Sequence, residues 1–266
     1  MSETLHTTTP EHSTGALDAY DELTSPAGQQ AFQERIITEA RGLNEEQLRI
    51  RHANERLEGK LCDLREQAQT DEPIYYDQQL KDFTARLNDL DGRERAVKRL
   101  HNFQTFRQLN LDRHGALTFD SGEAEIGQFI TELQANSSKE EHSFIYDDDF
   151  MYGVDEAQPQ IIIESQSNPM LFPLTAFVSA NGFDSWEAGR EHGVQRADSS
   201  AELIHEYAER PTDIPPVEAR ALLLETGEVI LKSENAHRAA AAKLKGQEMI
   251  GVESLIVYRA KPDFQI

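Results

Sequence analysis

Cysteine is nearly absent from this chain, and that scarcity limits what it can be. Cys62 is the single copy in 266 residues, so no internal disulfide can form and no thiolate cluster can hold a metal. Tryptophan is equally scarce, with one copy. Long apolar runs are missing too: nothing approaches the roughly 20 consecutive apolar residues a membrane helix needs. The opening stretch, MSETLHTTTPEHSTG, has neither a basic region nor an apolar one, so no secretory signal is legible. The expectation is a cytoplasmic protein with no membrane contact.

Basic charge is the other deficit. The chain sets 26 Lys+Arg against 48 Asp+Glu, a net charge of −22. Residues 190–266 hold 10 basic and 13 acidic groups, which leaves 16 and 35 for residues 1–189, net −19. Non-specific affinity for a phosphate backbone comes from Lys and Arg displacing counterions. A general DNA-binding role is therefore disfavoured, and the acidity is first of all a source of solubility.

What remains reads as α+β, in four stretches. Residues 1–16, rich in Thr, Ser and His, read as a disordered tail. Residues 17–112 read as a helical hairpin. A helix starting near Ser25-Pro26 carries Phe32, Ile36 and Ile37, and Gly42 is expected to interrupt it. Beyond it Leu43, Ile50, Leu57 and Leu64 recur every seven residues. Leu61 and Ala68 fill intervening positions, while Gln47 and Asn54 weaken the seam. Pro73 breaks the pattern, and a helix over 77–109 places Leu80, Phe83, Leu87, Leu90, Val97 and Leu100 on one face. Two readings follow: a coiled-coil-like arm that captures a protein partner or self-associates through residues 17–110, or an ordinary helix pair.

Residues 113–158 read as an acidic connecting region with a short strand at 115–119 and a helix at 124–133. Asp147, Asp148 and Asp149 are adjacent, so their side chains diverge, and no glycine provides the turn of a calcium loop. A solvated acidic loop is expected there, not a metal site.

Residues 159–266 hold the β-rich part. Strands are expected at 160–164 and 171–178, the second with Pro173 suiting an edge. Helices are expected at 184–192 and 199–210. Pro211, Pro215 and Pro216 force an extended passage, then come a strand at 217–224, a turn at 225–228 and a strand at 229–232. The 233–238 turn, Ser-Glu-Asn-Ala-His-Arg, opens an alanine-rich helix over 239–245 that Gly246 closes, and a strand at 250–258 follows.

The 233–238 turn is the candidate site. A helix start leaves backbone N–H groups unpaired and carries partial positive charge, which suits an anion. Arg238 adds a planar donor fork matched to phosphate oxygens. His237 can donate or accept a hydrogen bond. Ser233, Glu234 and Asn235 complete the turn. If magnesium accompanies a nucleotide here, Glu218, Glu225 and Glu234 are the nearby carboxylates, and spacing singles out none as catalytic. Arg238 has a structural reading as well, as an ion-pair partner of Glu225 or Glu234. His237 has one as a packing residue.

The order strand, turn, strand, helix opening on His-Arg, glycine, strand resembles the ParB/sulfiredoxin-like superfamily. The matching text is PPVEARALLLETGEVILKSENAHRAAAAKLKGQEMIGVESLIVY. The resemblance implies a mixed α/β domain over 159–266 and contact of Arg238 with a nucleotide or another phosphorylated ligand, with hydrolase or phosphotransferase chemistry as an extension. Asn235 stands where the family carries glycine. No cysteine occupies the turn, which excludes sulfiredoxin activity, and the chain ends eight residues past the last strand, without the family's helix-turn-helix region. A non-enzymatic interaction protein with a degenerate fold is the alternative. Nuclease activity is a third reading, resting on a basic groove of Lys232, Arg238, Lys243 and Lys245.

Overall fold

The computed structural model describes residues 15–70, 73–183, 185–186, 204, 209 and 214–266. Residues 1–14 of the expected tail, and nearly all of the helices expected at 184–192 and 199–210, lie outside them. The architecture is α+β, long helices followed by a mixed seven-stranded sheet. No helix among the described residues is long and apolar enough to cross a membrane. The chain divides into two units, one of residues 29–110 and one that joins residues 1–28 to 111–266.

The first unit pairs most of helix α2 (Pro26–Thr70) with most of α3 (Pro73–His114). The interruption expected at Gly42 does not occur. Nothing lies within 4 Å of where a Cβ would sit, so glycine costs about 1 kcal/mol of helix propensity and the heptad pattern carries the helix through. Glu39 meets Gln104 and Arg107, Glu46 meets Arg93, and Asn54 meets Glu94, so the pair is antiparallel. Leu100 is 46 % exposed and Ile37 51 %, contrary to expectation. The 3–4 spacing from Leu80, Phe83, Leu87 and Leu90 runs on through Val97 to His101 and Gln104, and Leu100 falls outside that seam. Arg107, 2 % exposed, lies over the rings of Phe32 and Phe103 at 4.9 and 5.6 Å. Its Nη1 donates to Glu39 and Gln104 at 3.1 and 2.9 Å.

The second unit begins with α1 (Gly15–Thr24), a helix where the sequence suggested the end of a tail. Ala16 and Tyr20 are its buried face. The Tyr20 hydroxyl donates to the Pro159 carbonyl at 2.5 Å, and Arg259 holds Asp21 at 2.6 Å. These bonds place α1 with the sheet and not with the helical stretch expected over 17–112. The 113–158 stretch is likewise more than a connector. It supplies β1 (Leu117–Asp120), α4 (Ala124–Ala135) and α5 (Asp147–Tyr152), and β1 pairs in parallel with β2 (Ile161–Glu164). The three aspartates expected in a loop form the first turn of α5, where carboxylates are favoured by the helix dipole.

The strand expected at 171–178 is two strands. β3 (Met170–Pro173) and β4 (Phe177–Ala180) are separated by a 3-10 turn at Leu174–Ala176. Proline has no N–H to continue a ladder, and after Pro173 the chain crosses to another part of the sheet. β5 (Val217–Leu223), β6 (Val229–Ser233), α6 (Ala236–Leu244) and β7 (Met249–Arg259) complete the unit. The strand order is β1-β2-β7-β5-β6-β4, with β3 on β7 at 249–252 beside the stretch that takes β2 at 254–257. Ile230, Leu222, Leu224 and Tyr258 pack against Phe150 of α5 on one face. On α6, Ala236, Ala239, Ala240, Ala241 and Ala242 are buried, the small side chains of a helix that approaches its neighbours closely.

Candidate functional site

The turn is positioned by the β5–β6 hairpin. Gly227 takes φ +84°, the left-handed residue of a three-residue connection, and it sets a register in which Ala219 pairs with Ser233 and Arg220 with Lys232. Beyond Ser233 the ladder makes a last link, Glu234 N–H to Glu218 O at 2.9 Å. Asn235, where the resemblance places glycine, then starts α6 at φ −103°, outside the left-handed region that favours glycine. Its Oδ1 accepts the Glu218 N–H at 2.6 Å and does not cap the helix.

Each residue of the turn has a definite role. Glu234 accepts from Arg220 Nε at 2.5 Å and from Asn181 Nδ2 at 3.3 Å, with Lys232 Nζ at 3.4 Å. Arg238 donates from Nη1 to the Pro216 carbonyl at 2.5 Å and lies 3.6 Å from Glu253. Its ion-pair partner is therefore Glu253, and neither Glu225 nor Glu234. His237 meets the Phe183 ring edge-on at 5.6 Å. Two polar atoms of the turn lack a hydrogen-bond partner among the described residues: Ser233 Oγ, on a fully buried residue, and His237 Nε2, itself buried. Of the three carboxylates nearby in sequence, Glu234 lies in the turn and Glu218 beside it. Glu225 lies in the hairpin connection at the other end of β6.

Behind the turn lies a charged cluster that the sequence reading missed. Arg220 and Lys232 face each other across the ladder, an arrangement that two like charges disfavour. Glu234 and Asp147 offset it: Lys232 contacts both, and Arg220 contacts Glu234 and donates to the Tyr258 hydroxyl at 3.2 Å. Burial pushes the Tyr258 hydroxyl's pKa up, against the pull of Arg220. Burial alone would lower Arg220, but Tyr258 and Glu234 outweigh it and raise the pKa. The signal was legible, since residues 220 and 232 stand equally far from the turn centre at Thr226. Lys232 is only 3 % exposed, so it presents no charge to a nucleic-acid backbone.

A Ser-His-Glu grouping lies at the opposite end of the hairpin. His142 Nε2 is 2.7 Å from Ser138 Oγ and 3.1 Å from Glu228 Oε1. A hydrolytic triad needs its nucleophile and its acid on different ring nitrogens. Here both meet one nitrogen, so the grouping ties the 136–146 segment to the hairpin and activates no nucleophile. No group of three or more His, Cys, Asp or Glu among the described residues is arranged to hold a metal ion. No family model matches this chain, and neither a curated protein nor a solved structure matches it.

Proposed function

We propose that the 159–266 body is a ParB/sulfiredoxin-like domain and that it binds a nucleotide or another phosphorylated small molecule at the start of α6. The observation that carries this reading is the pair of unpartnered buried atoms, Ser233 Oγ and His237 Nε2, beside a helix start that no side chain caps. A buried polar atom without a partner costs roughly 1–3 kcal/mol, and phosphate oxygens that accept from these groups and from the helix N–H groups relieve it. Arg238 keeps donors beyond the engaged Nη1, since a guanidinium carries five. Its bond to Pro216 holds the fork beside the turn. Any magnesium arrives on the phosphates of the nucleotide. Hydrolase or phosphotransferase chemistry is a further step, for which Glu218 is the exposed carboxylate at hand. The single cysteine suits a cytoplasmic setting.

Calorimetric titration of the whole chain with CTP and with ATP, each with magnesium, tests the reading. Saturable binding is expected, weakened about tenfold by His237→Gln and by Ser233→Ala, equivalent to 1.4 kcal/mol each. Absence of binding, or binding that both substitutions leave unchanged, overturns it.

A second reading, an interaction protein acting through the helical unit, is favoured by the exposure of Leu48, Leu100 and Phe106 there. Light scattering at rising concentration checks for self-association, which Leu48→Gln with Phe106→Gln is expected to abolish.

A further inference from the structure

Outside the proposed phosphate site, a preformed groove of about 600 Å³ lies between α5 and the final residues, with Tyr146, Asp149, Tyr152, Asp263 and Phe264 among its lining residues. Its walls are fixed by backbone and packing. Lys261 N–H donates to the Gly153 carbonyl at 2.9 Å, and Phe264 N–H closes a turn on Lys261 O at 3.0 Å. Gly153 is required here, because a Cβ would lie 2.6 Å from two carbons of the Phe264 ring. The aromatic wall is therefore seated directly on the backbone.

The chemistry of the lining is specific. Tyr146 is 54 % and Tyr152 71 % exposed, so two large rings face solvent at one groove. Asp149 and Asp263 stand exposed at the same groove, and neither has an ion-pair partner among the described residues. The Tyr152 ring already receives a cation, the Lys261 ammonium 4.1 Å from its centroid, while the same Nζ donates to the Tyr152 carbonyl at 2.5 Å. That lysine is spent on the wall of the groove, and the Tyr146 ring and both carboxylates remain. Residues 111–189, which supply most of this lining, hold 15 acidic groups and 2 basic ones. An anionic ligand meets repulsion here, and a purely apolar one strips water from the carboxylates without replacing it.

We propose that this groove docks a basic peptide segment, an arginine side chain lying on the exposed tyrosine face and forking to Asp149 or Asp263. Guanidinium is the fitting group because it stacks on aromatic rings and pairs with carboxylates in two-point geometry. The acidic field of the surrounding surface steers such a segment toward the groove.

The test is fluorescence anisotropy of the full-length protein with a labelled eight-residue peptide of alternating Arg and Gly. Saturable binding is expected, and Tyr146→Ala and Asp149→Asn are each expected to weaken it at least fivefold. Tyr146→Phe, which keeps the ring, is expected to bind as wild type and guards against a folding artefact. Glu140→Gln with Glu141→Gln removes two exposed acids outside the groove and is expected to leave the affinity unchanged. The proposal fails if the peptide does not saturate the protein or if an alternating Glu-Gly peptide binds equally well. It also fails if the Glu140/Glu141 pair weakens binding as much as Asp149→Asn, which means that charge alone attracts the peptide.

Discussion

The two units of this protein are built on opposite terms. Residues 29–110 hold 14 basic and 15 acidic groups, whereas the rest of the chain holds 12 and 33, so nearly the whole net charge belongs to the sheet-bearing unit. The helical unit buries few large apolar side chains, Phe32, Ile36, Ile50, Leu61 and Val97, and fills the rest of its seam with polar pairs. The sheet unit buries long apolar ladders such as Leu117, Phe119, Ile161, Ile163, Leu255 and Val257. A helix satisfies its own backbone and needs one apolar stripe, so mixed charge is tolerated around it. A sheet must bury a face to hold its register, and this one carries its acids on helices, loops and the outward positions of strands. The lesson is that charge and core were separated by element type.

Core truncation is the strongest way to test that contrast. Phe172→Ala, in the fully buried β3 position, is expected to cost about 3–5 kcal/mol, read by guanidinium denaturation. Ile50→Ala in the helical seam is expected to cost about 2 kcal/mol, because the seam is thin, and equal losses at both sites defeat the distinction. Arg107→Met is expected to cost about 2 kcal/mol, since it unseats the polar contacts of Gln104 while Glu39, partly exposed, resolvates.

Alkaline pH sharpens the comparison further, because Tyr20 and Tyr258 both lie in the sheet unit. Burial raises the pKa of both hydroxyls from the ordinary 10.0. The folded state thus holds protons that the unfolded state releases, so stability is full below pH 10 and falls as pH rises beyond it. Tyr20→Phe is expected to lose about 1 kcal/mol at pH 7 with the Pro159 bond and to flatten the decline between pH 10 and 11, measured by urea unfolding at each pH. Leu48→Gln, at an exposed helical position, is expected to shift stability by less than about 0.5 kcal/mol.

Much of the sheet unit was readable from local pattern. The hairpin at 217–233, the alanine helix and Gly246 at φ +70° follow from alternation and turn chemistry. Misreadings arose where local signals competed with packing. Gly42 carried a break signal, yet outward placement made it cheap. The apolar run at 171–178 looked continuous because Leu171, Phe172, Leu174, Phe177 and Val178 follow one another closely, although β3 and β4 pair with β7 and β6 respectively. At the candidate site the helix start was legible, while the partners of its side chains were not. Glu253 and Pro216, which hold Arg238, are 15 and 22 residues away in the chain.

By itself the sequence determined the α+β class, the apolar face from Leu80 to Val97 and the order of elements around the 233–238 turn. Those depend on periods of two and of about 3.6 residues, which are written in neighbouring positions. Only the tertiary structure decided that Arg220 and Lys232 share their charge with Glu234 and Asp147, that Asn235 turns to Glu218, and that Ser233 and His237 keep unpaired atoms. Hydrogen bonds between distant residues depend on strand register and on which helix covers which face, and no local period encodes either.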